Sequence, residues 1–193
     1  MPRKHKKIPE DRYTEQVLRN QHAIVRTACI GVRKTIQETG LDIRNYNPPE
    51  DVTENIVKFI LRSQGLDCKW AKSMGIKGDL VCDGKMLEVK AFTSDGPASF
   101  GPRKKFDGIY FLDMRQWLND KFILWHVCLT HESPAWKTLK MNKTETHQDQ
   151  SSQGRRPRIP FEKIRQQIGE CCSIIYDGSF EGIFTAKESN VLQ

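Results

Sequence analysis

GDLVCDGKMLEVK, residues 78–90, reads as a β-hairpin whose two arms carry charge on one face. Asp83-Gly84 is the dipeptide favoured in two-residue type I′ turns, where both central residues need a positive φ. Taking those two as the loop pairs Cys82 with Lys85, Val81 with Met86, Leu80 with Leu87 and Asp79 with Glu88. Strand alternation then sets Val81, Met86, Glu88 and Lys90 on the face of Asp79, and Leu80, Leu87 and Val89 on the core face. Like charges directly opposite on neighbouring strands destabilise the pair. A divalent cation between the two carboxylates would turn that repulsion into coordination, because hard ions take oxygen ligands. Lys90 lies one strand period beyond Glu88, within reach of the same point. A slip of one residue in register would undo the constellation.

The rest of the chain bounds what such a site can serve. Its 193 residues suffice for one sizeable core and would be cramped as two domains, so a single domain over 1–193 is expected. No run approaches the length of a membrane span, and the basic start, MPRKHKKIPEDRY, has no apolar core of a secretory signal. A cytoplasmic protein with no membrane partner is the expectation. Six cysteines are scattered without zinc spacing, and a disulfide scaffold is not expected at this length and in this compartment. His126-x-Cys128 reads as structural. The net charge of +7 is gathered in an arm over 1–9, in Arg103-Lys104-Lys105 and in Arg155-Arg156-Pro157-Arg158. Any one such cluster reads equally well as solvated surface. Three of them around a carboxylate pair favour a phosphate backbone as partner.

Residues 10–39 read as helical, with Tyr13, Val17, Ile24, Ala28, Val32 and Ile36 as the apolar stripe and Gly40 as the stop. Asn47-Pro48-Pro49 breaks the chain before a second helix at about 50–63, which carries Glu54 and ends near Gly65. Glu50 and Asp51 suit its N-terminal dipole. After the hairpin comes a Gly/Pro/Ser loop, 93–108. The runs at 109–112 and 122–129 read as strands buried on both faces. Residues 141–158 are polar without apolar periodicity, as in a functional loop or a segment that orders on DNA. Pro134 and Pro160 can each open a short helix, and Cys172–Tyr176 reads as a last strand. The order gives an α/β or α+β class.

Gly78-Asp79, eight residues, then Glu88-Val89-Lys90 resembles the motif of the PD-(D/E)XK nuclease superfamily. The helix with Glu54 resembles the one that carries that superfamily's common extra carboxylate. Small size and the SDGPASFGP stretch look most like a type II restriction endonuclease. Gly78 stands where the motif has proline. The resemblance implies an α/β fold with a central mixed β-sheet flanked by helices, and Mg²⁺-dependent hydrolysis of phosphodiester bonds in duplex DNA, with Mn²⁺ as a substitute.

On that basis Asp79, Glu88 and the backbone carbonyl of Val89 would hold the metal, with Glu54 completing its shell or binding a second ion. Lys90 would orient or deprotonate a water and balance charge on the phosphate. Ser94, Asp95, Ser99, Arg103, Lys104 and Lys105, on the loop after the hairpin, are candidates for reaching into a DNA groove. Arg155, Arg156 and Arg158, with Asn142, Lys143 and Gln153, form a second candidate segment. Trp70, Trp117, Trp125 and Trp136 read as packing residues. A symmetric site would favour a C₂ homodimer, with the N-terminal helix as one interface; monomers cutting successively are the alternative. A cognate methyltransferase acting on the same site would be a partner. Two other readings stay open. One is a nuclease selective for junctions, flaps or mismatches. The other is a non-catalytic nucleic-acid-binding module in which the carboxylates are surface charges.

Overall fold

Asp83 and Gly84 both take left-handed backbone conformations, at φ 49° and 78°. The turn they make gives the expected register, with Leu80 opposite Leu87, Val81 opposite Met86 and Cys82 opposite Lys85. A computed structural model describes residues 11–43 and 46–185; the basic arm over 1–9 lies outside the described residues. The strands are β1 (Cys68–Trp70), β2 (Leu80–Cys82), β3 (Lys85–Phe92), β4 (Ala98–Ser99), β5 (Gly108–Asp113), β6 (Phe122–Val127), β7 (Arg158–Ile159) and β8 (Cys172–Gly178). The helices are α1 (Glu15–Thr39), α2 (Glu50–Ser63), α3 (Pro134–Lys137), α4 (His147–Ser152), α5 (Phe161–Ile168) and α6 (Gly182–Thr185).

Six strands form one sheet in the order β1-β2-β3-β5-β6-β8, and β4 pairs with β7 in a separate ribbon. Within the sheet β3 and β5 run parallel and the other neighbours antiparallel. This is the expected α/β arrangement, a mixed central sheet flanked by helices. Every residue of β5 is buried, because each of its faces meets a different core. Tyr110 and Leu112 join Leu80, Leu87, Val89 and the apolar side of α2. Ile109 and Phe111 join Trp136, Phe161 and Ile164 on the other side. The expectation of burial on both faces fails for β6, where Ile123, Trp125 and His126 are only partly covered. Its neighbour β8 forms the sheet edge and has no buried residue of its own.

The buried face of α1 also differs from the expected stripe. Leu18, His22 and Cys29 point inward, while Val17 is 37% and Ile24 64% exposed. The expected stripe fails at Val17, Ile24 and Ala28, which are exposed, whereas Val32 and Ile36 are half-buried and continue the inner face of Leu18, His22 and Cys29. The N-terminal half of that face carries no apolar periodicity because a histidine and a cysteine occupy it. The ring of His22 stacks on Phe180 with centroids 3.8 Å apart. Burial pushes its imidazole down to about 4, with Arg26 adding to the fall and Asp120 and Glu181 opposing it. Between that value and the ordinary one near 6.5 the unfolded chain binds more protons, so stability drops as pH is lowered through this window. At pH 5 the protein should be about 2 kcal/mol less stable than at pH 8 from this group alone. His22→Phe should flatten that part of a urea-stability profile.

Two further differences concern the hairpin's flank and the polar segment. Cys68 and Cys82 face each other across β1 and β2 and are joined by a disulfide, although no disulfide scaffold was expected. Their facing positions depend on β1, a strand of three residues with no pattern of its own. Residues 141–158, expected to be a loop without regular structure, contain α4 and the start of β7. A capping box in which Thr146 and Asp149 bond each other's backbone N–H starts α4. Such a helix is made by local hydrogen bonds and needs no apolar stripe.

Candidate active site

The pairing of β2 with β3 stops at Leu80 and Leu87, and β3 runs on beyond it. Glu88, Lys90 and Phe92 on this overhang, with Asp79 and the α2 residues Thr53 and Glu54, border a cleft of about 570 Å³. The chain enters β2 through Gly78 at φ 140°, where an added Cβ would lie 2.1 Å from the Met86 side-chain end. Proline is fixed near −65° and cannot adopt that angle. Glycine at the position of the motif's proline is thus required by this backbone.

Asp79 Oδ2 accepts a hydrogen bond from the backbone N–H of Val89 at 2.8 Å. The carboxylate is thereby tied to the overhanging strand although it lies outside the ladder. Glu88 is 1% exposed, with Oε1 2.7 Å from Lys90 Nζ. The two carboxylates come together around one further group, Lys104, whose Nζ lies 2.9 Å from Asp79 Oδ1 and 2.6 Å from Glu88 Oε2. The contact to Oε2 is a short, charge-assisted one that ties this buried oxygen to the same ammonium. Burial raises the Glu88 carboxyl above its ordinary range, Lys90 pulls it back and Asp79 pushes it further up.

Glu54 borders the same cleft, but its Oε2 accepts the indole N–H of Trp70 at 2.6 Å. Burial lifts this carboxyl to about 7, against the Trp70 bond and with help from Asp79. Among the described residues no three Asp, Glu, His or Cys side chains are grouped closely enough to hold a metal ion. Glu54 therefore flanks the Asp79–Glu88 pair in this arrangement. The pair itself suits a hard divalent cation. Two carboxylates converge at the cleft, and an ammonium already occupies the point between them.

The loop expected to contact DNA is divided by the structure. Arg103 and Lys105 are exposed, while Lys104 turns inward. Nothing in a run of three basic residues marks the middle one as different. Ser94 and Ser99 border the cleft, and Asp95 accepts from Arg115 at 2.6 Å. In the second segment Asn142 and Arg155 bond to Glu145, and Gln153 accepts from Arg155. Those three are held within the segment through Glu145 and Arg155, whereas Arg156 borders the cleft. Lys143 and Arg158 are exposed, the latter opposite Ser99 in the β4–β7 ribbon. The ribbon thus joins the two basic segments beside the carboxylates.

Comparison with known proteins bears on this site. The profile of the Bsp6I restriction endonuclease matches residues 20–168, which include Glu54, Asp79, Glu88, Lys90 and Lys104. The chain belongs to the Bsp6I restriction endonuclease family. It is also similar to the type II restriction enzyme Bsp6I of Bacillus sp. (strain RFL6), 30% identical over 128 residues. That alignment covers 63% of this chain and 66% of the relative. No solved structure matches the chain. The resemblance to a small type II restriction endonuclease, read from the chain's size and the SDGPASFGP stretch, agrees with this family. No helix among the described residues is long and apolar enough to cross a membrane.

Proposed function

We propose that this member of the Bsp6I family is a divalent-cation-dependent endonuclease that hydrolyses phosphodiester bonds in duplex DNA at a short specific sequence. The observation that carries the reading is the buried Asp79–Glu88 pair, joined to Lys90 at 2.7 Å, in a cleft flanked by basic segments. Asp79, Glu88 and the Val89 carbonyl would hold Mg²⁺, or Mn²⁺ in its place. When bound, the cation supplies Lewis-acid polarisation of the phosphoryl oxygen and a more acidic water. Glu88 holds the Lys90 ammonium beside that position, where it orients the water and offsets charge growing on the phosphate. Ser94, Ser99 and Arg156, which line the cleft, and Arg103, Lys105 and Arg158, exposed on the adjoining segments, supply donors for phosphates and base edges.

Digestion of unmethylated duplex DNA of known sequence tests this reading directly. Purified protein with Mg²⁺ should give discrete, reproducible fragments, and EDTA should abolish them. A smear abolished by EDTA would keep the nuclease and sink sequence specificity; binding without cleavage under any divalent cation would favour a non-catalytic module. Preferential cutting of branched DNA would favour the junction-type reading. A C₂ homodimer, formed through the α1 face that exposes Val17 and Ile24, would present two such sites to a symmetric sequence. Sedimentation with and without DNA tests that arrangement. A restriction activity of this kind also implies a methyltransferase that protects the same sequence in the host.

A further inference from the structure

The Lys104 ammonium stands where a cation between the carboxylates would stand. Its loop is short and pinned at both ends. Phe100 and Phe106 are buried, each edge-on to Trp136. The backbone N–H of Phe100 bonds the Pro157 carbonyl, and that of Lys104 the Gly101 carbonyl. Between these anchors the side chain of Lys104 reaches inward to both Asp79 and Glu88. The four charged groups Asp79, Glu88, Lys90 and Lys104 sum to zero. A divalent cation added between the carboxylates would face two ammonium groups already in contact with them, and one of those, Lys104, occupies its place.

We infer that Lys104 is a built-in counter-ion of the Asp79–Glu88 pair, which a divalent cation must displace in order to bind. The inference rests on the metal-site reading proposed above. It makes Lys104 a positioning residue that holds the carboxylates together before the cation arrives and lowers cation affinity while it does so. Lys90 differs in this respect, because it contacts only Glu88. Two like-charged carboxylates without Lys104 would repel each other, so the same ammonium that competes with the cation also keeps its site assembled.

The experiment is a titration with Mn²⁺ in the absence of DNA, with free Mn²⁺ read by electron paramagnetic resonance. It would be run on the full chain and on Lys104→Gln, Lys104→Arg, Lys105→Gln and Asp79→Asn. Lys104→Gln should bind Mn²⁺ about tenfold more tightly than the unaltered protein, the order expected for removing one charge from a partly buried site. It should also melt lower without Mn²⁺ and gain more from it. Lys104→Arg, which keeps the charge, should not tighten binding. Lys105→Gln, which removes an exposed charge from the same loop, should change affinity less than about threefold. Equal or weaker Mn²⁺ binding by Lys104→Gln would overturn the inference. If neither the unaltered protein nor any variant binds Mn²⁺, it is the metal-site reading that falls. A second measurement needs no variant. Acetic anhydride labelling of Lys104 in the unaltered protein, followed by mass spectrometry, should rise when Mn²⁺ is added, and no rise would count against displacement.

Discussion

Glu88→Gln is expected to lower the rate of DNA cleavage by at least about a thousandfold, because it removes one of two charged ligands from the proposed cation site. The substitution is nearly isosteric, so the loss should come from charge and not from packing. Its stability effect should be small for a specific reason. Glu88 is buried, and its carboxylate suffers from desolvation, which the neutral amide relieves. Against that gain, Lys90 loses its one carboxylate contact and Lys104 keeps Asp79 alone, which is a cost of similar kind. Asp79→Asn should abolish cleavage as well and also weaken the acceptor for the Val89 N–H. Single-turnover cleavage of a plasmid beside thermal melting separates the two effects. Cleavage by Glu88→Gln within tenfold of the unaltered protein would sink the assignment of the site to this pair.

The hairpin was legible in the sequence because each local preference agreed with the others: an Asp-Gly turn, alternating faces and matched arm lengths. Its register follows from the turn alone. The helix over Glu50–Ser63 was equally plain, since proline opens it and a periodic apolar face fills it. What escaped was decided by tertiary contacts. The inner face of α1 contains a histidine that is acceptable only because Phe180, more than 150 positions later, stacks on it. The inward turn of Lys104 depends on Phe100 and Phe106 being buried against Trp136, a residue in a different core from the hairpin arms. Arg103 and Lys105 share its composition and point to solvent. No pattern of charge along the chain separates the three.

Asp11 carries no signal in the sequence, and its loss should cost more stability than any substitution in the cleft. Its side chain is 4% exposed, and its Oδ2 lies 3.0 Å from Lys58 Nζ, which is itself fully buried on α2. Arg62 reaches the same oxygen at 3.2 Å. Backbone N–H groups of Trp70 and Tyr13 and the Ser73 hydroxyl bond the carboxylate too. Burial alone would raise the Asp11 carboxyl, but the Lys58 bond and these N–H groups outweigh it and hold it below the ordinary range. Asp11 therefore stabilises the fold above the usual carboxylate pKa, and the contribution is lost as pH falls through its lowered value. Burial pushes Lys58 down to about 8 even with Asp11 in place. Asp11→Ala should destabilise the protein by about 3–5 kcal/mol, because it strands a buried ammonium with little more than the Tyr13 carbonyl. Lys58→Met should cost less, since Asp11 keeps Arg62 and its backbone donors. The double variant should then be more stable than Asp11→Ala alone, because the stranded charge is gone. Urea unfolding of the three variants checks this order. Equal losses for the two single variants, with additive loss in the double, would mean that the buried ion pair is not what holds α2 against β1. Trp70 gives the result a bearing on the site, since its backbone rests on Asp11 and its indole holds Glu54.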